Sequence, residues 1–153
     1  MDINIRKAAT DDLDKILELN KKLFELEYNQ FDSTLNVDWT YEEQGQNYFL
    51  NMIENEIVLV AIIDNTIVAY LAGSICLPNY NKEKSAELEN MFILEEYRNY
   101  SIGTKLVDEF KKWCISQGIN SIKVTASIAN KKAISFYIKN GFAEWDITLN
   151  CNL

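Results

Sequence analysis

The chain has 153 residues, close to the length of one domain. Its 48% hydrophobic and 25% charged composition is that of a globular protein, and a single Pro with five Gly excludes low-complexity and Pro-rich linker readings. Histidine is absent, which removes Ser-His-Asp and Cys-His catalysis and histidine metal clusters, so any general base must be Asp, Glu, Tyr, Lys or Cys.

The three cysteines, Cys76, Cys114 and Cys151, are 38 and 37 residues apart, far from zinc-chelating spacings. No metal is expected, and the sparse odd set suggests reduced thiols in a cytoplasm. Residues 1–7 lack the apolar stretch of a signal peptide, and the longest apolar run is seven residues, Ile57 to Ile63, so neither secretion nor a membrane span is expected. The net charge is −8, and residues 1–56 hold all of it, with 13 acids against 5 bases. No Lys or Arg lies between Lys22 and Lys82. This sign excludes a nucleic-acid footprint. It leaves two readings, a solvated face that aids solubility or an attraction for a cationic substrate.

Ile3 and Ile5 alternate as a short strand. Thr10 is a candidate N-cap for a helix over about 11–27, with acidic residues in its first turn and an inner face of Leu13, Ile16, Leu17, Asn20, Leu23 and Phe24. After a loop at 28–39, Thr40 and Glu43 have capping-box spacing and predict a helix over about 41–54, with Tyr41, Tyr48, Phe49 and Met52 inward. Ile57 to Ile63 reads as a strand buried on both faces, Asp64-Asn65 as a two-residue hairpin turn, and 66–77 as the return strand with Gly73 a candidate bulge. A polar loop over 78–84 leads to a strand at 86–94. Ile102, Leu106, Phe110, Trp113 and Cys114 make a helical apolar face ended by Gly118. Ile122, Val124 and Ala126 alternate as a strand, Asn130 caps a helix to about 139 closed by Asn140-Gly141, and 142–150 alternates as a closing strand. The pattern is an α/β domain spanning 1–153, its sheet antiparallel in the middle.

The turn from Glu95 to Thr104 lies between a strand and a helix, where backbone N–H groups and the helix dipole can hold a pyrophosphate without many cations. The run Leu88-Glu89-Asn90-Met91-Phe92-Ile93-Leu94-Glu95-Glu96-Tyr97-Arg98, with the turn and helix to Val107, resembles the central motif of the GNAT superfamily of acyl-CoA-dependent N-acyltransferases. Asn130-Lys131-Lys132-Ala133, Phe136-Tyr137 and Asn140-Gly141-Phe142 resemble its second motif. One departure is Ser101, which stands at the first glycine of the family's loop pattern, where positive φ and a crowding phosphate favour glycine.

The resemblance implies the GNAT fold, a mixed sheet of about six to seven strands flanked by about four helices, and acetyl-CoA as co-substrate with no metal. It implies that Met91, Phe92 and Ile93 hold the pantetheine arm, that Arg98, Asn99, Tyr100, Ser101, Ile102, Gly103 and Thr104 hold the pyrophosphate, and that Asn130, Ala133 and Phe136 lie toward the adenine end. It also implies a strand bulge and a V-shaped slot, Glu89 as the base that deprotonates the amine, and Tyr137 as the acid for the departing thiolate. Partial burial of Glu89 would suit that task. Cys114, on an apolar helix face, is expected to be packing.

The expected acceptor is a small cationic amine, a polyamine or an aminoglycoside-like molecule, met by Tyr28, Asp32, Asp38, Trp39, Glu42 and Glu43. Two alternatives stand beside it: acetylation of a protein N-terminus or lysine, and a non-catalytic acyl-CoA-binding regulatory module. The aromatics Tyr28, Phe31, Trp39 and Tyr41 could equally serve a homodimer interface.

Overall fold

The computed structural model describes residues 1–77 and 80–153. Five strands run in the order β1 (Asn4–Lys7), β2 (Ile57–Ile63), β3 (Thr66–Cys76), β4 (Ser85–Ile93) and β5 (Ser121–Val124), and each pairs with its neighbours in sequence. The first three pairings are antiparallel and β4 with β5 is parallel. Among the described residues there are four α-helices, α1 (Leu13–Gln30), α2 (Glu43–Asn55), α3 (Ile102–Ser116) and α4 (Lys131–Lys139).

Both faces of β2 are apolar because both are covered. Val58 and Val60 join Ile16, Leu19, Phe49 and Tyr70 under α1 and α2, while Ile57, Leu59 and Ala61 join Leu106, Val107 and Phe110 under α3. The hairpin turn forms as expected, with Asp64 at φ 48° and Asn65 at φ 61°. Gly118, at φ 73°, ends α3, and Asn130 caps α4 by accepting the Ala133 N–H at 3.1 Å.

Four expectations are corrected. Thr10 is not a cap: it opens a 3₁₀ turn at Thr10–Asp12, and the Asp12 carboxylate accepts the Ala9 N–H at 2.8 Å while pairing with Arg6. Thr40 does not form a capping box with Glu43: it is buried in a second 3₁₀ turn, Trp39–Tyr41, and α2 starts from Glu42. Gly73 is not itself the bulge. The register passes from Ala72↔Asn90 to Gly73↔Leu88, so the extra residue is Glu89 on β4, and Gly73 lacks a side chain because a Cβ there would lie 2.4 Å from the Phe110 ring.

The fourth correction is the closing strand. Residues 142–150 form no strand, and the sheet has five strands among the described residues instead of six or seven. Trp145, Ile147 and Leu149 keep the alternation that predicted it but are 91%, 70% and 86% exposed. Alternation specifies a strand only where an edge is there to pair with, and β5 offers four residues. The expected loop at 78–84 includes Pro78 and Asn79, which lie outside the described residues.

Candidate active site

The site begins where β4 and β5 part. Their parallel pairing runs from Ser85↔Ser121 to Leu88↔Val124 and stops there, while β4 continues along β3 to Ala69↔Ile93. From Glu89 onward one edge of β4 is therefore unpaired, which is the splay the resemblance implies. Leu94 donates to Val68 O at 2.9 Å. The two-residue alternation of an antiparallel ladder then commits Phe92 to β3 and turns the backbone of Met91 and Ile93 toward the open edge.

The bulge decides what stands at the head of this opening. Adjacent strand residues normally point to opposite faces, but an extra residue cancels one alternation. Glu89 and Asn90 thus lie side by side, and the Tyr48 hydroxyl of α2 reaches both: it donates to Glu89 Oε1 at 2.9 Å and accepts from Asn90 Nδ2 at 3.0 Å. Behind them Tyr70 donates to Asn90 Oδ1 at 2.6 Å, Asn20 donates to Tyr70 at 2.9 Å, and Thr40 donates to Asn20 Oδ1 at 2.6 Å. Thr40, Asn20 and Tyr70 are fully buried. Glu89 is exposed, so the partial burial expected for it is not found.

Beyond the end of β4, the Arg98 Nε donates to Ile93 O at 3.1 Å, and its guanidinium lies 5.4 Å from the Phe92 ring centroid, which folds the turn back onto the strand. Asn99 and Ser101 both take positive φ, 71° and 62°. Ser101 therefore adopts the left-handed conformation that glycine would adopt more easily. The first intrahelical bond of α3 is Lys105 N–H to Ser101 O at 3.1 Å, which leaves the N–H groups of Ile102, Gly103 and Thr104 without a helical acceptor. Gly103 is set by packing: a Cβ there would come within 2.9 Å of Phe136 and 3.2 Å of Ile93, so its absence lets α4 close on α3.

Tyr137 of α4 packs between Phe136 and Phe142, with ring centroids at 5.2 and 5.4 Å. Burial, and then the charge of Glu27 on α1, push its hydroxyl up to about 12. Glu27 is half-buried, and burial, then Asp32, hold its carboxyl above the usual range. It also contributes to the rise at Tyr70, where burial dominates. Nothing in the linear pattern separates Glu27 from its acidic neighbours.

Three of the four carboxylates expected on the acceptor side have local partners. Asp32 accepts from the Thr34 backbone at 3.0 Å and from its hydroxyl at 2.5 Å, Asp38 lies 3.2 Å from Lys21 Nζ, and Glu42 accepts from Asn36 at 3.2 Å. Glu43 sits in the first turn of α2, where negative charge is favourable. Trp39 is packed among Phe24, Tyr48 and Phe49, whereas Tyr28 is 42% exposed. Cys114 is buried as expected, and burial pushes its thiol up to about 11, away from nucleophilic use. Among the described residues no group of three His, Cys, Asp or Glu could hold a metal ion, and no helix is long and apolar enough to cross a membrane.

A bulged β4 whose edge opens beyond its pairing with β5 leads into a turn with two left-handed residues and the N-terminus of α3, and residues 14–142 match the model of the acetyltransferase (GNAT) family. The chain belongs to that family and is an acetyl-CoA-dependent N-acetyltransferase. It is similar to the spermidine N(1)-acetyltransferase of Thermoplasma acidophilum, with 28% identity over 149 residues that cover 93% of this chain and 89% of that protein. The solved structure of PaiA N-acetyltransferase from Thermoplasma acidophilum in complex with coenzyme A matches with a TM-score of 0.83 at 26% identity, covering 97% of this chain and 94% of that one. A tetramutant of the BH1408 protein from Bacillus halodurans shares the fold, with a TM-score of 0.86 at 18% identity over 98% and 99% of the two chains.

Proposed function

We propose that the protein transfers the acetyl group of acetyl-CoA to a primary amine of a small polycationic acceptor of the polyamine kind, by direct attack in a ternary complex. The observation that carries this reading is the carboxylate of Glu89, held on the β4 bulge at the point where the β4 edge opens. A similar protein is named a spermidine acetyltransferase. The acidic excess of residues 1–56 and the half-buried Glu27 favour the same kind of acceptor.

Acetyl-CoA, when bound, supplies the acyl group as a thioester. The edge at Met91 and the Ile93 N–H, beyond the β4–β5 pairing, suits a peptide-like pantetheine arm added as a strand, and the free N–H groups of Ile102, Gly103 and Thr104 suit its pyrophosphate. An amine of ordinary basicity, with a pKa of roughly 10.4, arrives as ammonium. Glu89 takes one of its protons on Oε2, since Oε1 already accepts from Tyr48. The freed nitrogen bonds the acyl carbon as the carbon–sulfur bond breaks, the electron pair leaves on sulfur, and the second proton that the nitrogen sheds in becoming an amide passes to that sulfur, so the products are the N-acetyl amine and the CoA thiol.

Tyr137, raised to about 12, keeps its proton at any working pH. Full transfer to a thiolate whose acid has an ordinary value of about 8.5 is uphill, so Tyr137 serves the sulfur chiefly by hydrogen bonding. Three free cysteines fit a reducing compartment, and we assign the reaction to the cytoplasm.

Release of CoA measured with spermidine, a short diamine, an aminoglycoside, a monoamine and a peptide N-terminus tests the reading. The expected order puts polyamines first. A preference for the peptide would replace the small acceptor with a protein, and binding of acetyl-CoA without turnover on any amine would make the chain a regulatory module.

A further inference from the structure

The hydrogen bonds behind Glu89 form one thread, Thr40 to Asn20 to Tyr70 to Asn90 to Tyr48 to Glu89, at 2.6, 2.9, 2.6, 3.0 and 2.9 Å. The carboxylate fixes every direction in it. An ionised Glu89 only accepts, so Tyr48 must direct its single proton there. Tyr48 can then only accept from Asn90, which turns the Asn90 amide nitrogen toward it and leaves Oδ1 for Tyr70. Tyr70 donates its proton to Asn90 and must accept from Asn20, whose Oδ1 is left for Thr40. No other arrangement of protons satisfies all six groups, and no buried side-chain nitrogen or oxygen among the described residues lacks a partner.

A chain of polar groups that all point one way is mutually polarised, and its end is held more firmly than a single bond would hold it. Glu89 needs such a hold, because it is exposed and sits on a bulge, where packing alone does not select its rotamer. The thread is not a proton wire. Two of its links are amides, and burial raises the phenols of Tyr48 and Tyr70 far above the range in which they would give up a proton.

We propose that Tyr48, anchored through Asn90, Tyr70 and Asn20 to the buried Thr40, is a positioning residue that holds Glu89 by Oε1 and leaves Oε2 as the oxygen that receives the amine proton. The proposal rests on Glu89 acting as the base. Tyr48 does not touch the acceptor in this scheme. Its ring is fixed by Trp39 and Phe49, with centroids at 5.4 and 4.8 Å, so its hydroxyl is a rigid post for an exposed carboxylate.

Tyr48→Phe keeps that packing and removes only the hydroxyl. The expected result is a loss of kcat on the order of 10- to 100-fold, the scale of misplacing a reacting group by about 1 Å, with the KM for acetyl-CoA unchanged. In a Glu89→Gln background the same substitution should cost almost nothing further, because there is no base left to position. An equal loss in both backgrounds would assign Tyr48 a separate role and overturn the proposal, as would wild-type kcat in Tyr48→Phe.

Crystal structures of the wild type and Tyr48→Phe test the placement independently of turnover. Glu89 is expected in one position in the wild type and spread over several in the variant; an unmoved Glu89 overturns the positioning role. Wild-type kcat in Glu89→Gln alone would instead overturn Glu89 as the base, leaving the crystal structures to decide the positioning.

Discussion

The two faces of β4 are built on different principles. Toward α3, Leu88 and Met91 enter an apolar cluster with Leu106 and Phe110, where contact is non-directional. Toward α1 and α2, Asn90 belongs to a hydrogen-bonded thread in which donors and acceptors meet at 2.6 to 3.0 Å and each has only one partner that satisfies it. Apolar packing fixes where a strand lies and tolerates small rearrangement. A polar thread fixes single atoms, and an error orphans a group at about 1–3 kcal/mol. The first face should therefore govern stability and the second the placement of Glu89.

Phe110→Ala is the strongest test of that division. It removes a fully buried ring lying over Gly73 and should lower unfolding free energy by about 3–5 kcal/mol, measured by denaturant titration. Turnover per folded molecule should stay close to wild type. A parallel collapse of kcat would show that the α3 face also positions the chemistry. Next in size, Tyr137→Phe keeps both ring contacts and removes the hydroxyl, and the loss of one hydrogen-bond donor to the developing thiolate should lower turnover by about 10²-fold with acetyl-CoA affinity unchanged in a thermal-shift titration. Wild-type turnover would return Tyr137 to a packing role.

Most of the scaffold was legible because local rules agreed with the tertiary outcome. The β-branched run 57–63, the Asp64-Asn65 turn, Gly118 and the Asn130 cap each act through their immediate neighbours. The motif around Arg98 and Gly103 was legible as well, but the reason for Gly103 was not, since Phe136 lies 33 residues away and supplies the close approach. Thr40 misled because its capping spacing is local while its true partner, Asn20, is on another helix. The closing strand misled for the opposite reason: residues 142–150 have the right alternation and, beside β5, an edge of only four residues to use it on. The polar thread left one readable trace, an Asn at position 20 on an otherwise apolar helical face, because a polar side chain at a buried position needs partners.

Ser101→Gly sharpens the comparison within the turn that leads from Arg98 into α3. The variant relieves a left-handed serine at φ 62°, worth on the order of 1 kcal/mol, so Tm should rise by about 2–4 °C. Acetyl-CoA should bind more tightly if relief of crowding dominates. Weaker binding would show that the Ser101 hydroxyl is itself used.

The smallest effect concerns Glu27, half-buried on α1 and close enough for its charge to act on Tyr70 and Tyr137, without the local partners that occupy Asp32, Asp38 and Glu42. Its carboxyl lies above the ordinary value through burial first and Asp32 second. The folded protein thus holds this proton more tightly than the unfolded chain does. Glu27 accordingly favours the fold below the ordinary carboxylate value, and that contribution is lost as pH rises through the raised value. Glu27→Gln should raise Tm at pH 7, with the gain shrinking to nothing as pH falls into the ordinary carboxylate range. The same variant should raise KM severalfold for a polyamine and little for a monoamine, whereas amide replacement of Asp32, Asp38, Glu42 and Glu43 together should do less, because three of those four already serve neighbours. A Tm that does not change at pH 7 would mean that the Glu27 carboxylate is well solvated. Equal KM changes for the two amines would remove Glu27 from the acceptor site, and a larger effect from the four surface acids would return the acceptor to the long-range field of residues 1–56.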